Sequence, residues 1–523
     1  MNKSLSTLDA IVFAVYILGI LGVGIYASRQ GKKTKRDYFL AGDKLPWWMV
    51  GGSIIAANIS SHHLVGVMGV SYTLGFVAVV IEWGAILLGF NALLWIFLPF
   101  YLRNGFYTMP EYLQRRYGGG ARTIYSILVL LTYIFVEIGA VLYLGAITLQ
   151  SLLGIPVLTS VCILAVFTGV YTIAGGLRAV IWTEMLQLGV LVAGMIILSF
   201  VTINAAGGIS AVMETSKDWS HFLPADHPDF PWTMYLGGVI CISVFYNATN
   251  QFIVQRTLAA RNEWHARMGI IFADYLKFLI PVLIIAPALV APKLFPDLEK
   301  PDLLFATLVQ NLLPAGLIGL VMAGLIAAVM SHLSGAINSC TTIITMDIYL
   351  PYFRKKASEA QAVKFGKLSG AAIVVLGISC AALLVLYSEK PVFLYLLNAY
   401  GLFTPGIATM FLLGILWKRT THAAAITAGL LTIPASLLIE FLFPSMPFFN
   451  RTGIVFWGCM IICAMVSLFT KPKEEDQLKG LIWNKESLSL PPEQRQQQKG
   501  WRNPFIWWAI ITAIVLYFYV RYA

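Results

Sequence analysis

Runs of about twenty apolar residues recur along the whole chain, and a chain written this way has few ways to fold. A helix needs about 20 apolar residues to cross a bilayer core, whereas a barrel strand needs about 10. With no water at that depth to satisfy a free backbone group, helices are the spanning elements that runs of this length allow. Fourteen runs qualify, at 8–27, 46–72, 75–101, 122–149, 155–174, 179–204, 232–254, 266–292, 314–347, 363–387, 391–417, 422–444, 451–470 and 503–522. Composition agrees: 58% of the 523 residues are apolar, 12% are charged, and mean hydropathy is +0.77. A soluble chain of this length needs two or three domains, each with a charged surface, and about 25% charged residues. A soluble enzyme, a nucleic-acid binder and a secreted disulfide scaffold are therefore excluded, and the expected class is an all-α polytopic membrane protein embedded in the lipid bilayer.

The net charge of +11 reports topology. Lys and Arg collect in cytoplasmic loops. With the N-terminus outside, alternate loops hold 28 of the 36 basic residues, so both termini are expected on the extracytoplasmic side, in a bacterial inner membrane. The first segment reads as a retained helix, since it runs into a basic loop with no cleavage pattern. Residues 205–231 outside and 471–502 inside are the sizeable polar stretches, the second expected as a flexible cytoplasmic linker.

No Walker A sequence, dinucleotide fingerprint or HExxH motif is present, and the six cysteines (162, 241, 340, 380, 459 and 463) lie within spans without metal-ligand spacing. No enzymatic chemistry and no cofactor is expected. Uphill work in such a chain must draw on an ion gradient.

Eight ionisable residues fall inside the spans: His62, His63, Glu82, Glu137, Glu184, Asp274, Lys277 and His332. Each costs about 2.5–3.5 kcal/mol on insertion scales and is a functional candidate by default. The span 46–72 turns polar at Asn58-Ile59-Ser60-Ser61-His62-His63, and the span 232–254 does so at Tyr246-Asn247-Ala248-Thr249-Asn250-Gln251. Helix-competing Asn and Ser at mid-depth fit a pair of broken helices, the sequence mark of an inverted-repeat transporter. The alternative is two continuous helices whose polar side chains join neighbours. In 314–347, Gly324, Ala328, Ser331, Gly335 and Asn338 recur at three or four residues and form a narrow small-residue face for close helix approach.

At these residues the chain resembles the sodium/solute symporter family, specifically its sodium/glucose cotransporter branch. The likeness runs from about Asp37 to Thr421. It is carried by Asp37-Tyr38-Phe39-Leu40-Ala41-Gly42, Ala56-Ala57-Asn58-Ile59-Ser60, Tyr107-Thr108-Met109-Pro110-Glu111 and Gly175-Gly176-Leu177 with Ala179. Further marks are Asn250-Gln251, Gln255-Arg256-Thr257-Leu258-Ala259-Ala260, Thr345-Met346-Asp347-Ile348-Tyr349 and Thr404-Pro405-Gly406. The resemblance implies a LeuT-like 5+5 inverted repeat with a broken first helix in each half, at 46–204 and 232–417, separated by the loop 205–231. Around it would lie an extra helix and basic loop at 1–45, two accessory helices within 418–470, the linker 471–502 and a last helix at 503–523.

The resemblance also implies a site. Glu82, Tyr246 and Lys277 match the family's sugar pocket, and His63 stands where it has Gln or His. Glu137, Ser243 and Asn247 occupy pocket positions with other residue types, Ala85 stands for Ser, and Leu397 for Gln. A carboxylate, an ammonium and an imidazole together can satisfy sugar hydroxyls, which both donate and accept. Two pairings compete with that role: a local one of Lys277 with Asp274 at i, i+3, and Glu82 as a structural partner of the same lysine. A sialic-acid-transporting branch carries arginine at the Glu137 position, so a carboxylate there disfavours an anionic solute. An outer gate of Val67, Ile81 and Phe393 and an inner aromatic closure at Tyr246 are implied as well.

For the coupling cation, the family pattern implies carbonyls of Ala56, Ile59 and Ala328 and the hydroxyl of Ser331 as Na+ ligands. The next position, a serine in the pattern, is His332, and Glu184 stands where relatives have Asp facing the same region. Hard cations prefer oxygen, so three couplings remain open: Na+ through a rebuilt site, H+ through His332 with Glu184, or none, leaving a uniporter or sugar sensor. The expected activity is import of a small neutral, hydroxyl-rich solute (a sugar, polyol or sugar derivative) with a cation.

Overall fold

The computed structural model describes residues 6–30, 34–215, 220, 222–298, 300–387 and 392–522, and excludes the side chains of 80, 81, 387 and 392–397. The regular elements among these residues are all helical. We number the principal helices α1 (Thr7–Arg29), α2 (Trp47–Asn58), α3 (His62–Ala78), α4 (Glu82–Arg103), α5 (Gly119–Leu153), α6 (Val157–Ala205), α7 (Gly238–Val244) and α8 (Gln251–Leu258). They continue as α9 (Glu263–Leu294), α10 (Leu317–Phe353), α11 (Glu359–Tyr387), α12 (Val392–Leu416), α13 (His422–Leu442), α14 (Phe448–Phe469) and α15 (Pro504–Arg521). This is an integral membrane protein.

Among the described residues eleven helices are long and apolar enough to cross a membrane, or twelve with α2 and α3 as one bent span. The expected fourteen differ at two places. The runs 155–174 and 179–204 form one 49-residue helix, α6, interrupted only at Gly176 (φ 58°, ψ −155°). A straight helix that long would reach about 73 Å at 1.5 Å per residue, far beyond one bilayer, so the interruption divides it into two legs. The run 232–254 contains only the short pieces α7 and α8, each too brief to span alone.

Burial ranks the helices. The most apolar window of α10 is 89% buried, while α1, α13 and α15 expose large apolar side chains such as Leu18, Phe441 and Val520, as lipid contact requires. The small-residue face of α10 does what its spacing demands. A Cβ added at Gly335 would fall 2.6 Å from both the Phe252 ring and the Arg256 guanidinium, so only glycine lets α8 lie this close. At the crossing of α2 and α9, Gly51 faces the Gly269 backbone.

Residues 471–502 depart from the expected flexible linker. They form an ordered strap across the ends of α4, α9 and α12, burying Leu478, Leu481 and Leu490. Arg267 donates to the carbonyls of Ser487 and Leu488, each at 2.7 Å, and Arg103 to that of Ser489 at 2.6 Å. Glu263 bridges the two arginines. Trp483 donates its amide to Ile415 and its indole N–H to the Trp95 carbonyl. Polar composition suggested mobility, but these carbonyls meet arginines from distant parts of the chain.

Candidate functional site

Both polar interruptions are breaks in helical structure, and the continuous-helix alternative is set aside. Between α2 and α3 the direction changes by 61°. Ile59 is extended (φ −86°, ψ 118°), which frees carbonyls at the end of α2. Orphan carbonyls at mid-depth need protein donors, and α10 supplies two in succession. Ser331 Oγ donates to the Ala56 carbonyl at 2.7 Å, and His332 Nδ1 meets the Ala57 carbonyl at 2.8 Å.

The second break mirrors the first. α7 runs through a wide turn at Phe245–Thr249 to Asn250, which is extended (φ −81°, ψ 121°) and caps α8 by accepting from the Phe252 amide. Tyrosines take the freed carbonyls: Tyr101 donates to Ala248 at 3.1 Å and Tyr125 to Thr249 at 2.7 Å. Tyr133 donates to Asn250 Oδ1 and accepts from the Phe252 amide at 2.8 Å.

Between the two breaks lies a cavity of about 110 Å³. A water needs about 10–15 Å³ on this measure, so several waters or a small solute fit. All seven sequence-derived pocket candidates line it: His63, Glu82, Glu137, Ser243, Tyr246, Asn247 and Lys277. His332, from the cation set, lines it too.

The ionisable groups are paired. Lys277 Nζ sits on the Glu82 carboxylate and donates to Asn58 Oδ1. The competing Lys277–Asp274 pairing is absent. His63 Nε2 lies 3.2 Å from Glu82 Oε1, and its Nδ1 accepts from the Ser60 amide. Because Nδ1 accepts, the ring proton is on Nε2 and points at the carboxylate. Glu137 is held from both sides, by Tyr400 OH at 2.7 Å and His332 Nε2 at 2.6 Å. Both nitrogens of His332 thus face oxygens, the Ala57 carbonyl and the Glu137 carboxylate.

The His332–Glu184 pair that one of the three open couplings would use is not formed. Glu184 is buried against the Arg256 guanidinium and the Ser53 hydroxyl, while His332 Nε2 meets Glu137. Arg256, on α8, enters over Gly335 and occupies the Glu184 carboxylate. Ser331 Oγ also lies 3.1 Å from the Ala328 carbonyl, so the oxygens of Ala56, Ala328 and Ser331 converge. Ile59 is buried at the break itself.

Of the expected outer gate, Val67 is buried in an apolar cluster with Phe76, Trp83 and Ile285 and does not line the cavity. The side chains of Ile81 and Phe393, and of Leu397, lie outside the described residues. Sequence reasoning left Asn58, Ser60, His62 and Tyr400 off the pocket list. The first three sit in the polar run that marked the break and were within reach of the same argument. Tyr400, in an aromatic-rich span 263 residues from Glu137, carried no signal.

Comparison with known proteins gives a consistent picture. A family model described as the sodium:solute symporter family matches residues 38–432. The chain is 36% identical to a sodium/glucose cotransporter of Vibrio parahaemolyticus, over 91% of this chain and 93% of that protein. It is 32% identical to a human sodium/myo-inositol cotransporter, over 93% of this chain and 77% of the relative. Among solved structures, it superposes on a Na+-coupled sialic acid symporter in a substrate-bound outward-open state with a TM-score of 0.83 at 23% identity, covering 90% of this chain and 99% of that one. It matches the nucleobase-cation-symport-1 family transporter Mhp1 with a TM-score of 0.56 at 14% identity, covering 85% and 97%. These structures share the fold.

Proposed function

The chain belongs to the sodium:solute symporter family, and on that premise we propose that it imports a small, neutral, hydroxyl-rich solute, a sugar or polyol, together with Na+. The observation that carries this reading is the pairing of charges around the cavity: Glu82 with Lys277 and His63, and Glu137 with His332. A pocket whose charges are already matched gains nothing from a charged solute, but it offers donors and acceptors to hydroxyls. A solute lacking a hydroxyl leaves buried polar groups unpaired, which is a strong basis for discrimination. Relatives that are sodium/glucose and sodium/myo-inositol cotransporters support the same class.

In this reading His63, Glu82, Ser243, Tyr246, Asn247 and Lys277 touch the solute, and Glu137 acts through Tyr400 and His332. Val67, Ile81 and Phe393 form the outer closure. The cation is held by the carbonyls of Ala56, Ile59 and Ala328 and by Ser331 Oγ, with His332 in place of a fifth oxygen donor. The convergence of Ser331 with Ala56 and Ala328 supports this set. Two inverted five-helix repeats, 46–204 and 232–417, would carry alternating access around the fixed site, with both termini outside and the strap in the cytoplasm.

The test is uptake of a sugar and polyol panel into proteoliposomes under Na+, K+ and pH gradients. Accumulation of a neutral polyol driven by Na+ is the expected result. Equilibration indifferent to both gradients would make the protein a uniporter, binding without passage a sensor, and drive by pH alone a proton symporter.

A further inference from the structure

Seven of the eight ionisable residues inside the spans have partners; Asp274 has no hydrogen-bond or ion-pair partner among the described residues. It is fully buried on α9, and neither carboxylate oxygen has a hydrogen-bond partner among the described residues. The charged groups on elements packed against α9 are engaged elsewhere. Glu82 and Arg103 on α4 hold Lys277 and Glu263. Glu184 on α6 and Arg256 on α8 hold each other, and Glu214 holds Lys293. His63 on α3 is on Glu82, and His62 and Tyr519 have contacts of their own. α2 brings no titratable side chain. On α9 itself, Glu263 and Arg267 pair with each other and Tyr275 donates to the Trp507 carbonyl.

A bare carboxylate in such a place is untenable, because an isolated buried charge costs far more than its protonation. Asp274 therefore carries a proton in this conformation. Even so, a neutral acid with no acceptor for its hydroxyl is an unmade hydrogen bond that requires a reason. One helical turn away is Lys277. Residues at i and i+3 stand about 5–6 Å apart at Cβ, within reach of an ion pair, yet the ammonium here is committed to Glu82 and Asn58.

We infer that Asp274 is a proton-binding site and the alternative partner of Lys277. When a solute hydroxyl donates to Glu82, the ammonium loses its claim on that carboxylate and turns to Asp274. The Asp274 O–H bond breaks heterolytically, the carboxylate pairs with the ammonium, and the proton leaves to water in the opened cavity. Solute arrival is thereby tied to release of one proton, at a site separate from the proposed Na+ ligands. The solute step rests on the reading of the cavity as a sugar pocket; the proton on Asp274 does not.

The experiment uses the full chain in lipid nanodiscs. In the solute-free protein, infrared difference spectra on raising pH are expected to show loss of a protonated-carboxyl C=O band that Asp274→Asn removes and Asp274→Glu shifts. In weakly buffered solution with an indicator dye, saturating glucose or myo-inositol is expected to release about one proton per bound solute from the wild type (two groups trading one ammonium exchange one proton). Asp274→Asn is expected to release none while still binding solute by calorimetry. A band indifferent to both substitutions, or proton release undiminished in Asp274→Asn, overturns the proposal. If neither sugar binds the wild type, the solute reading fails, and the band alone decides whether Asp274 holds a proton.

Discussion

His332 Nε2 lies 2.6 Å from Glu137 Oε2, while His332 Nδ1 holds the Ala57 carbonyl at the break of α2. A single side chain thus ties the solute cavity to the helix end that is proposed to bind the cation. Both residues depart from the family pattern to which the sequence was likened, and the two departures meet in space.

Replacing His332 by serine returns an oxygen donor beside Ser331 and leaves Glu137 with Tyr400 alone. His332→Ser is expected to lower the Na+ concentration for half-maximal uptake at least tenfold, about 1.4 kcal/mol of binding. Combining it with Glu137→Asn, which removes the abandoned carboxylate, is expected to restore the stability that the single variant loses. Uptake against Na+ concentration and thermal unfolding in detergent read the two effects separately.

Lys277 and Glu82 are both buried, and truncating one leaves the other uncompensated. Breaking such a pair from one side costs about 3–5 kcal/mol, whereas replacing both partners is much milder. Lys277→Ala is expected to abolish sugar binding and lower the unfolding temperature in detergent. Lys277→Ala with Glu82→Ala is expected to recover most of the stability and none of the binding, as calorimetry with glucose would show.

One hydroxyl braces the cap of the second break. Tyr133 OH donates to Asn250 and accepts from the Phe252 amide, so Tyr133→Phe removes both bonds and leaves that amide with Asn250 Oδ1 at 3.0 Å as its partner. The expected cost is about 1 kcal/mol, seen as a lower unfolding temperature. Tyr143→Phe, on a tyrosine with no such bond, serves as the control and is expected to leave it unchanged.

The strap 471–502 is held by arginines gripping three successive carbonyls. Arg267→Ala removes two of these bonds and leaves Glu263 with Arg103 alone. Limited proteolysis in detergent is expected to leave residues 471–502 intact in the wild type. The same segment is expected to be cut rapidly in Arg267→Ala.

Membrane crossing and the two points where helices fail were both written in local sequence. Apolar run length is matched to a fixed bilayer thickness, and a cluster such as Asn58 to His63 has few continuous-helical uses at mid-depth. That Glu82, Glu137 and Lys277 line the cavity followed from the family resemblance; an ionisable residue inside a span is a functional candidate, but the same mark falls on Glu184 and Asp274, which do not line it.

Which of those charges pair was left open. Lys277 had two candidate acids, Asp274 one turn away and Glu82 on a distant helix, and the fold gave it Glu82. His332 took Glu137 and left Glu184 to Arg256. The order of residues fixes what lies in the membrane, since hydropathy is a property of each segment alone. Pairing among buried charges depends on distances between segments far apart in the chain, set by glycine contacts such as Gly335 against α8 and Gly51 against α9. Only the packed helices supply those distances.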